Sequence, residues 1–330
     1  MRRSMAMTAA LALVALLGFQ TGCGDDDDSG QGSSGKTDDY EIVFIPGVTG
    51  DDFFHTIWLG AQEEAKRLGV SIEQQAPPKY EPSSQIPIVN AAVARRPDAL
   101  IVAATDAEAL QAPLEQAAER GIKVVTFDTT TEDPSFAVTH VSSDVVEAGR
   151  VVGEQLVKLT DGQGKVMYID HAPGVGFARD LRAGFTEVME GEPGIDVLPI
   201  QYFDLDPQKA NSITRTTLTR HPDLAGAFVG VALGSTGAVP ALQAAGKLGQ
   251  VKTVAFDAFV QNMKLLEEGK LDAVVSVAAR DYGSATVKAA VDALNGKSVP
   301  KHIQPKICPF TADTVDAPEN APCLYSRAPQ

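Results

Sequence analysis

Short apolar runs alternate along this chain with amphipathic stretches of helical length, and this alternation strongly constrains the fold. The apolar runs lie at 42–45, 99–103, 123–127, 165–169, 226–231, 251–256 and 273–278. The helical patterns lie at 54–68, 107–120, 145–159, 178–189, 210–220, 236–245, 261–268 and 283–294. Strands that alternate with helices are typical of a parallel sheet covered on both faces. Because 330 residues exceed what one hydrophobic core usually serves, we expect an α/β fold with two domains. Three prolines interrupt the pattern in 75–84, which is therefore predicted to be a loop.

One strand-end motif occurs twice. Val-Thr-Phe-Asp ends at Asp128 and Val-Ala-Phe-Asp ends at Asp257, so a carboxylate terminates an apolar run in each half. Ligands of open parallel sheets bind outside the carboxyl ends of the strands, which favours one small molecule held between two similar halves. The alternative is that each Asp only caps the following helix. The recurrence of the motif favours binding.

Charge and motif content exclude several classes of function. The formal net charge of −15 and the absence of clustered Lys and Arg argue against a nucleic-acid surface. The five histidines show no zinc spacing, and neither a P-loop nor a nucleophile elbow is present. We therefore predict no enzymatic activity, no cofactor and no metal site.

The first residues are typical of an export signal. Two arginines precede an apolar run at 9–19 that is too short to span a bilayer comfortably, so 1–22 is predicted to be removed. Cys23 follows two small residues, a pattern that resembles the cleavage site of bacterial lipoproteins, although Gln20 departs from it. Lipidation of Cys23 is favoured, with plain secretion as the alternative. The acidic, Gly- and Ser-rich stretch 23–39 is then a lipidated, disordered tether.

The other two cysteines are Cys308 and Cys323. In an exported protein the simplest state of two remaining thiols is one disulfide, which would clip a proline-rich C-terminal loop. A zinc site is less favoured, because two cysteines without neighbouring histidines supply only half of the ligands.

The segment 42–69, IVFIPGVTGDDFFHTIWLGAQEEAKRLG, resembles the opening of type I periplasmic sugar-binding proteins, the ribose-binding-protein-like receptors of ABC importers. Further matches follow in the family's order: PDALIVAATDAEAL (97–110), GIKVVTFDTT (121–130), HVSSD (140–144), RAGF (182–185), HPDLAGAFVG (221–230) and VKTVAFDAF (251–259). The resemblance extends from Tyr40 to about Lys306. It implies two Rossmann-like lobes with parallel sheets, joined by a three-strand hinge and closing on a ligand.

Domain boundaries follow from the resemblance. The N-terminal lobe would comprise 40–143 plus 278–304, and the C-terminal lobe 144–277 plus 305–330, including the disulfide-clipped tail. The implied protein is a monomer that captures a small sugar outside the cytoplasmic membrane and delivers it to an ABC permease.

Five positions match ligand-binding residues of the family. Phe53 and Phe54 match the aromatic pair that packs on the apolar face of a sugar ring, although either could be a core residue. Asp128 and Asp257 match carboxylates that accept hydrogen bonds from sugar hydroxyls. Asp51 stands where an Asn commonly precedes the aromatic pair, so the ligand would have to present donors there.

Two arginines bracket the position of the family's ligand-binding arginine, which Leu181 occupies here. Arg179 or Arg182 would take its place after a local shift. The alternative is that both are surface partners of Asp180 and Glu187, the commoner fate of arginines on a helix.

Other departures from the family make the expected site less polar. Ala103, Val231 and Val277 stand where many members have amides, and Pro207 stands where an arginine is often found. A hydroxyl buried without a partner costs roughly 1–3 kcal/mol, so an ordinary pentose would bind weakly. We expect a deoxy, substituted or smaller sugar, or an amine-bearing ligand attracted by the carboxylates.

Three alternatives differ in class from a transport receptor. The first is a sensory protein that presents an autoinducer-type molecule to a receptor, as some members of the family do. The second is a repressor with the same core, which the export signal disfavours. The third is an exported hydrolase, for which no catalytic motif was found.

Overall fold

The computed structural model describes residues 40–172 and 176–329. The predicted export signal, the tether and Cys23 lie outside these residues. Within them the chain forms thirteen strands: β1 (Glu41–Ile45), β2 (Ser71–Gln74), β3 (Ala99–Val102), β4 (Lys123–Phe127), β5 (Thr139–Val141), β6 (Gly164–Asp170), β7 (Ile195–Val197), β8 (Gln201–Tyr202), β9 (Leu224–Val229), β10 (Lys252–Phe256), β11 (Ala273–Val277), β12 (His302–Ile303) and β13 (Ile307–Phe310).

The same described residues form nine α-helices: α1 (Asp52–Leu68), α2 (Pro82–Arg95), α3 (Gln111–Glu119), α4 (Val145–Leu159), α5 (Gly176–Glu190), α6 (Pro207–Arg220), α7 (Ala232–Ala244), α8 (Val260–Glu267) and α9 (Ala279–Leu294). Two 3₁₀ segments, Pro134–Phe136 and Pro318–Cys323, complete the regular structure. None of these helices has the length and apolar character of a bilayer span.

Two sheets organise the molecule. The first has the strand order β12-β5-β4-β3-β1-β2, with every neighbouring pair parallel. The second has the order β13-β11-β10-β9-β6-β7, is parallel except for the β11–β13 pair, and has β8 attached to β6. We call the first sheet with its helices lobe 1 and the second sheet with its helices lobe 2. The predicted α/β fold with two parallel-sheet lobes is confirmed.

The chain crosses between the lobes at three places, after β5, after β11 and after β12. Ser143 lies in the first crossing and bonds to the first turn of α9, which follows the second crossing, and to the third crossing. Its N–H donates to the hydroxyl of Tyr282 at 2.7 Å, and its Oγ donates to the carbonyl of Pro305 at 2.9 Å. Because these bonds are buried, they hold the first crossing against the third crossing and against the start of α9, so the three crossings form one hinge region.

Helix α1 shows why the local sequence forms these elements. Asp51 has extended backbone and accepts a 3.0 Å hydrogen bond from the N–H of Phe54, as a helix N-cap does. Gly69 ends the helix in the left-handed conformation at φ 72°, which glycine adopts without steric cost. Ile57 and Ala61, four residues apart on one face of the helix, are fully buried.

The largest of the hydrophobic clusters runs through both lobes. It includes Phe44 and Phe127 under α1 in lobe 1, and Tyr168, Phe228 and Phe256 in lobe 2. Two smaller clusters fill the opposite faces of the sheets, one beneath α2 and α3 and the other beneath α6 and α7. Both faces of each sheet are therefore covered, as the continuous apolar strands predict.

The segment 75–84 differs from the sequence-based expectation. It is a loop only as far as Glu81, because α2 begins at Pro82. Proline is favoured in the first turn of a helix, where its missing N–H would have no intrahelical acceptor. The prolines that were predicted to interrupt the helical pattern thus include the first residue of a helix.

The described part of residues 305–330 contacts both lobes. The structure pairs Cys308 with Cys323 in a disulfide, and β13 joins the sheet of lobe 2. The backbone N–H groups of Ser326 and Ala328 nevertheless bond with α1 of lobe 1. The end of the tail therefore also contacts lobe 1.

Candidate functional site

The carboxyl ends of the strands in the two sheets face a common cavity of about 490 Å³. Residues of both lobes line it: Val48, Asp51, Phe53, Phe54, Tyr80, Asp128, Ser142, Ser143, Val145, Ala148, His171, Phe177, Leu205, Val231, Phe256, Asp257, Phe259, Val277 and Tyr282. The volume lies within the range of small-molecule sites. Strand-end loops that meet at one edge are where α/β proteins place their ligands.

Asp128 and Asp257 occupy equivalent places in the two lobes. Asp128 follows β4 and Asp257 follows β10, and each backbone N–H donates at 2.9 Å to the neighbouring strand, to the carbonyls of Val141 and Val275 respectively. Both residues have left-handed backbone, with φ of 58° and 71°. That conformation is uncommon for residues other than glycine and is concentrated at functional sites, although aspartate tolerates it better than most. The predicted pair thus reaches one cavity from opposite lobes by the same local structure.

The electrostatics of the cavity are those of crowded, half-buried carboxylates. Burial raises the pKa of Asp128 to about 7, and the nearby charge of Asp51 adds to the shift. Burial also raises the pKa of Asp257 to about 7, against the opposing effect of a hydrogen bond from Tyr325. The pKa of Asp51 is raised by burial, while the N–H groups of Phe54 and Phe53 lower it. Burial makes the ionised form of these carboxylates costly. A ligand that donates hydrogen bonds to them would offset that cost and is therefore favoured.

Aromatic rings form the lobe 1 side of the cavity. Phe53 and Phe54 line it together, with their ring centroids 5.4 Å apart. Tyr80 stacks on Phe54 at 6.4 Å, and the ring of Tyr282 meets Phe53 edge-on at 5.8 Å. Phe54 also packs against Phe127 in the core, so it serves both the cavity and the hydrophobic interior. A plate of rings beside carboxylates suits a ligand with an apolar face and polar edges.

The structure does not bring the two predicted arginines into the cavity lining. Arg179 is exposed and pairs with the adjacent Asp180 at 2.9 Å. Arg182 donates from Nη1 to Asp170 at 3.0 Å and to the hydroxyl of Tyr202 at 2.9 Å. Asp170 is fully buried, so an unpaired carboxylate there would destabilise the fold. The ion pair with Asp170 therefore keeps Arg182 at this position.

The positions where the family often has amides are apolar here. Val231 and Val277 line the cavity directly. Ala103 is buried and does not line the cavity, and its carbonyl accepts a 2.7 Å hydrogen bond from the side chain of Gln85. Pro207 is the first residue of α6. Within the described lining, three carboxylates therefore face hydroxyl and imidazole groups but no lysine or arginine.

Several lining residues were not predicted from the sequence. Tyr80, Phe177 and Leu205 form an apolar rim that is 48%, 36% and 44% exposed, respectively. They come from three separate segments that only the tertiary fold brings together. Phe259 could have been predicted as a lining residue, because it is an aromatic residue two positions after Asp257 at the end of a strand. Across residues 40–172 and 176–329, no cluster of three or more metal-ligating side chains is found.

Comparison with known proteins identifies the family. A family model described as the periplasmic binding protein domain matches residues 42–298. The ribose import binding protein of Escherichia coli (strain K12) is 28% identical over 261 residues, which is 78% of this chain and 86% of that protein. The D-ribose/D-allose-binding protein of Pseudomonas aeruginosa is 28% identical over 286 residues, covering 84% of this chain and 89% of that one.

Solved structures agree. An ABC transporter solute-binding protein from Agrobacterium vitis, bound with α-D-tagatopyranose, is 32% identical, with a TM-score of 0.76. The match covers 87% of this chain and 99% of that one. These relatives are binding proteins rather than enzymes. The chain belongs to the periplasmic binding protein family and, within it, to the type I sugar-binding proteins of ABC transporters.

Proposed function

We propose that this protein is the substrate-binding lipoprotein of an ABC importer and captures a small sugar or sugar-like ligand between its two lobes. The observation that carries the proposal is the pair Asp128 and Asp257, whose equivalent strand ends place carboxylates from both lobes on one cavity. Phe53 and Phe54 supply the surface for the apolar face of a sugar ring, and Asp51 adds a third acceptor. No covalent step is required.

Ligand contacts to both lobes would favour a closed state of the protein. We assign 40–143 plus 278–304 to one moving body, and 144–277 plus most of the C-terminal segment to the other. A ligand bound by Asp128 on one side and Asp257 on the other has more contacts when the lobes are close, and this difference in affinity drives closure.

The cavity chemistry favours a ligand with fewer hydroxyls than an ordinary pentose or one that carries an amine. Val231 and Val277 offer no hydrogen bonds to hydroxyls, which would lose roughly 1–3 kcal/mol each if left unpaired. Deoxy and substituted sugars avoid that loss. A protonated amine would in addition favour the ionised forms of Asp128 and Asp257, whose pKa values burial raises to about 7.

Attachment to the outer face of the membrane would be through a lipid on Cys23. We expect mass spectrometry of the membrane-associated protein to find a diacylated, new N-terminal cysteine after removal of 1–22. Cys23→Ser should release the protein from the membrane fraction. An unmodified N-terminus at another residue would instead support plain secretion.

A thermal-shift screen tests the binding proposal. The domain beginning at Tyr40 is scanned against pentoses, deoxy sugars, polyols, amino sugars and thioribose derivatives, and a true ligand should raise the melting temperature saturably. Asp128→Asn and Asp257→Asn should each abolish or strongly reduce the shift. Losing a charge-assisted hydrogen bond costs about 1.5–3 kcal/mol, or roughly ten- to a hundredfold in affinity.

Asp161→Asn is the matched control. Asp161 also has left-handed backbone, at φ 53°, but it is exposed and does not line the cavity. The control should therefore respond to ligand like the unaltered protein. A hit that survives both cavity substitutions would contradict the proposed site. A hit confined to autoinducer-type molecules would favour the sensory alternative.

A further inference from the structure

The C-terminal tail, residues 311–329, passes behind the cavity and joins the two lobes. It leaves lobe 2 at β13 and is held there by the Cys308–Cys323 disulfide. The carbonyl of Cys323 also accepts a 3.2 Å hydrogen bond from Oγ of Ser276 on β11. The tail is thus fixed to lobe 2 at Cys323 by a covalent bond and a buried hydrogen bond.

Tyr325 then lies directly behind Asp257. Its hydroxyl donates to Oδ1 of Asp257 at 3.0 Å. Its ring packs between Phe53 of lobe 1, at a centroid distance of 5.5 Å, and Phe259 of lobe 2, at 5.4 Å. Tyr325 is only 6% exposed and does not itself line the cavity. It therefore supports three lining residues from behind.

Beyond Tyr325 the tail binds the start of α1 in lobe 1. The N–H of Ser326 donates to Oγ1 of Thr56 at 2.7 Å, and the N–H of Ala328 donates to Oδ1 of Asp52 at 2.8 Å. Arg280 on α9 reaches Oγ of Ser326 at 3.4 Å. This is the same end of α1 that carries the aromatic pair into the cavity. The tail thus connects Asp257 of lobe 2 with the aromatic wall of lobe 1.

We infer that Tyr325 is a positioning residue for ligand binding: by holding Oδ1 of Asp257, it fixes the carboxylate so that Oδ2 is available to the ligand. Among the described residues no donor reaches Oδ2, which fits an oxygen reserved for a ligand. The inference rests on the proposed role of Asp257 as a ligand acceptor. It gives the tail, which the disulfide attaches to lobe 2, a role in ligand recognition.

The bond from Tyr325 also affects the charge of Asp257. Burial raises the pKa of Asp257, the charges of Asp51 and Asp128 across the cavity raise it further, and only the Tyr325 hydrogen bond opposes them. Three tyrosines also lie close to these carboxylates: Tyr80 and Tyr282 on the cavity wall and Tyr325 behind Asp257, and burial raises the pKa of each above its ordinary value. His171 lies on the cavity wall of lobe 2. Removing the Tyr325 hydroxyl should therefore raise the pKa of Asp257 further.

Tyr325→Phe tests the inference, since it removes one hydroxyl and keeps the ring between Phe53 and Phe259. Carboxyl ¹³C NMR titration of the ligand-free domain should show the Asp257 resonance, assigned by its loss in Asp257→Asn, titrating at higher pH in the variant. Calorimetry with the hit of the ligand screen should show about tenfold weaker binding near neutral pH. The loss should grow as the pH falls, because Asp257 is then protonated more readily.

Tyr40→Phe is the matched control. The hydroxyl of Tyr40 donates to Asn295 at 3.1 Å, and neither residue lines the cavity, so the same chemical change there should alter neither the Asp257 titration nor the affinity. An unchanged Asp257 pKa in Tyr325→Phe overturns the inference whether or not a ligand is known. A shifted pKa with unchanged affinity also overturns it, because Tyr325 would then affect the carboxyl without helping recognition. If Asp257→Asn itself binds the hit normally, it is the proposed function that fails.

Discussion

Asp128 and Asp257 each combine a left-handed backbone with a partly buried carboxylate, two features that cost stability. Aspartate and asparagine tolerate the left-handed region better than alanine does. Asparagine substitutions therefore remove the charge while retaining the local backbone, so they separate the role of the carboxylate from that of the turn. This distinction decides how any test of these two residues should be designed.

The raised pKa values predict how stability depends on pH in the ligand-free protein. Between the ordinary value of 3.8 and about 7, the folded protein retains protons on Asp128 and Asp257 that the unfolded chain has already released. The contribution of these groups to the free energy of unfolding therefore falls as pH rises through that window. The double variant Asp128→Asn, Asp257→Asn should lack this contribution and show a smaller decline.

Urea denaturation at about pH 5 and about pH 7.5 measures this effect. Asp161→Asn, with the same backbone conformation on the surface, should keep the decline of the unaltered protein. A double variant whose stability falls with pH as steeply as that of the unaltered protein would show that neither carboxyl group retains its proton in the folded state.

Sequence reasoning identified the cavity residues that sit at strand ends and at the start of α1. Asp51, Phe53, Phe54, Asp128 and Asp257 all line the cavity, and their role in ligand binding stays a proposal. The pairing of Arg179 with Asp180 agrees with the surface alternative given for it. The partner of Arg182 could not be predicted, because the buried charge that holds it belongs to Asp170, twelve residues away. Tyr325 could not be predicted either, since its position depends on the path of the tail across both lobes.

At the level of elements, one helix pair in each lobe packs closely through glycines on both helices. In lobe 1, Gly60 of α1 faces Gly283 of α9, and in lobe 2, Gly149 of α4 faces Gly184 of α5. A Cβ at any of these glycines would overlap a backbone carbonyl oxygen of the partner helix. The glycines therefore set the helix separation on which the positions of the strand ends depend.

Gly184→Ala should destabilise the protein by roughly 1–3 kcal/mol, the typical cost of overpacking. Its added methyl group meets the carbonyl of Val146 on α4, so the helices must move apart. Gly176→Ala, at the start of the same helix, is the control because no atom lies within 4 Å of the added carbon. Chemical denaturation of both variants measures the difference. Equal stability of the two would mean that the α4–α5 contact is not limited by Gly184.

The longer strands and helices were predicted close to their observed bounds. Their apolar residues recur at regular spacing because one or both faces are buried, and this pattern is visible in the sequence. The short edge strands were missed, since β2 with its exposed residues carries no such pattern. Helix α2 was missed for another reason: Pro82 and Pro87 suggested a break, whereas one starts the helix and the other lies within it.

At the scale of the whole molecule, the order of motifs along the chain predicted the two lobes, since the motifs follow one another as they do in the family. The hinge contains three chain crossings, joined by the hydrogen bonds of Ser143. The tail adds a non-covalent connection between the lobes through Tyr325 and Ser326. The proposed lobe closure would therefore involve the wall of the cavity as well as the hinge.

The central claim is that carboxylates from both lobes bind one ligand. Isothermal titration calorimetry of the screened ligand against the unaltered domain, Asp128→Asn, Asp257→Asn and Asp161→Asn tests it most directly. We predict one site per chain, an affinity reduced roughly ten- to a hundredfold by either cavity substitution, and no change in Asp161→Asn. Normal affinity in either cavity variant would show that the ligand is not held between Asp128 and Asp257.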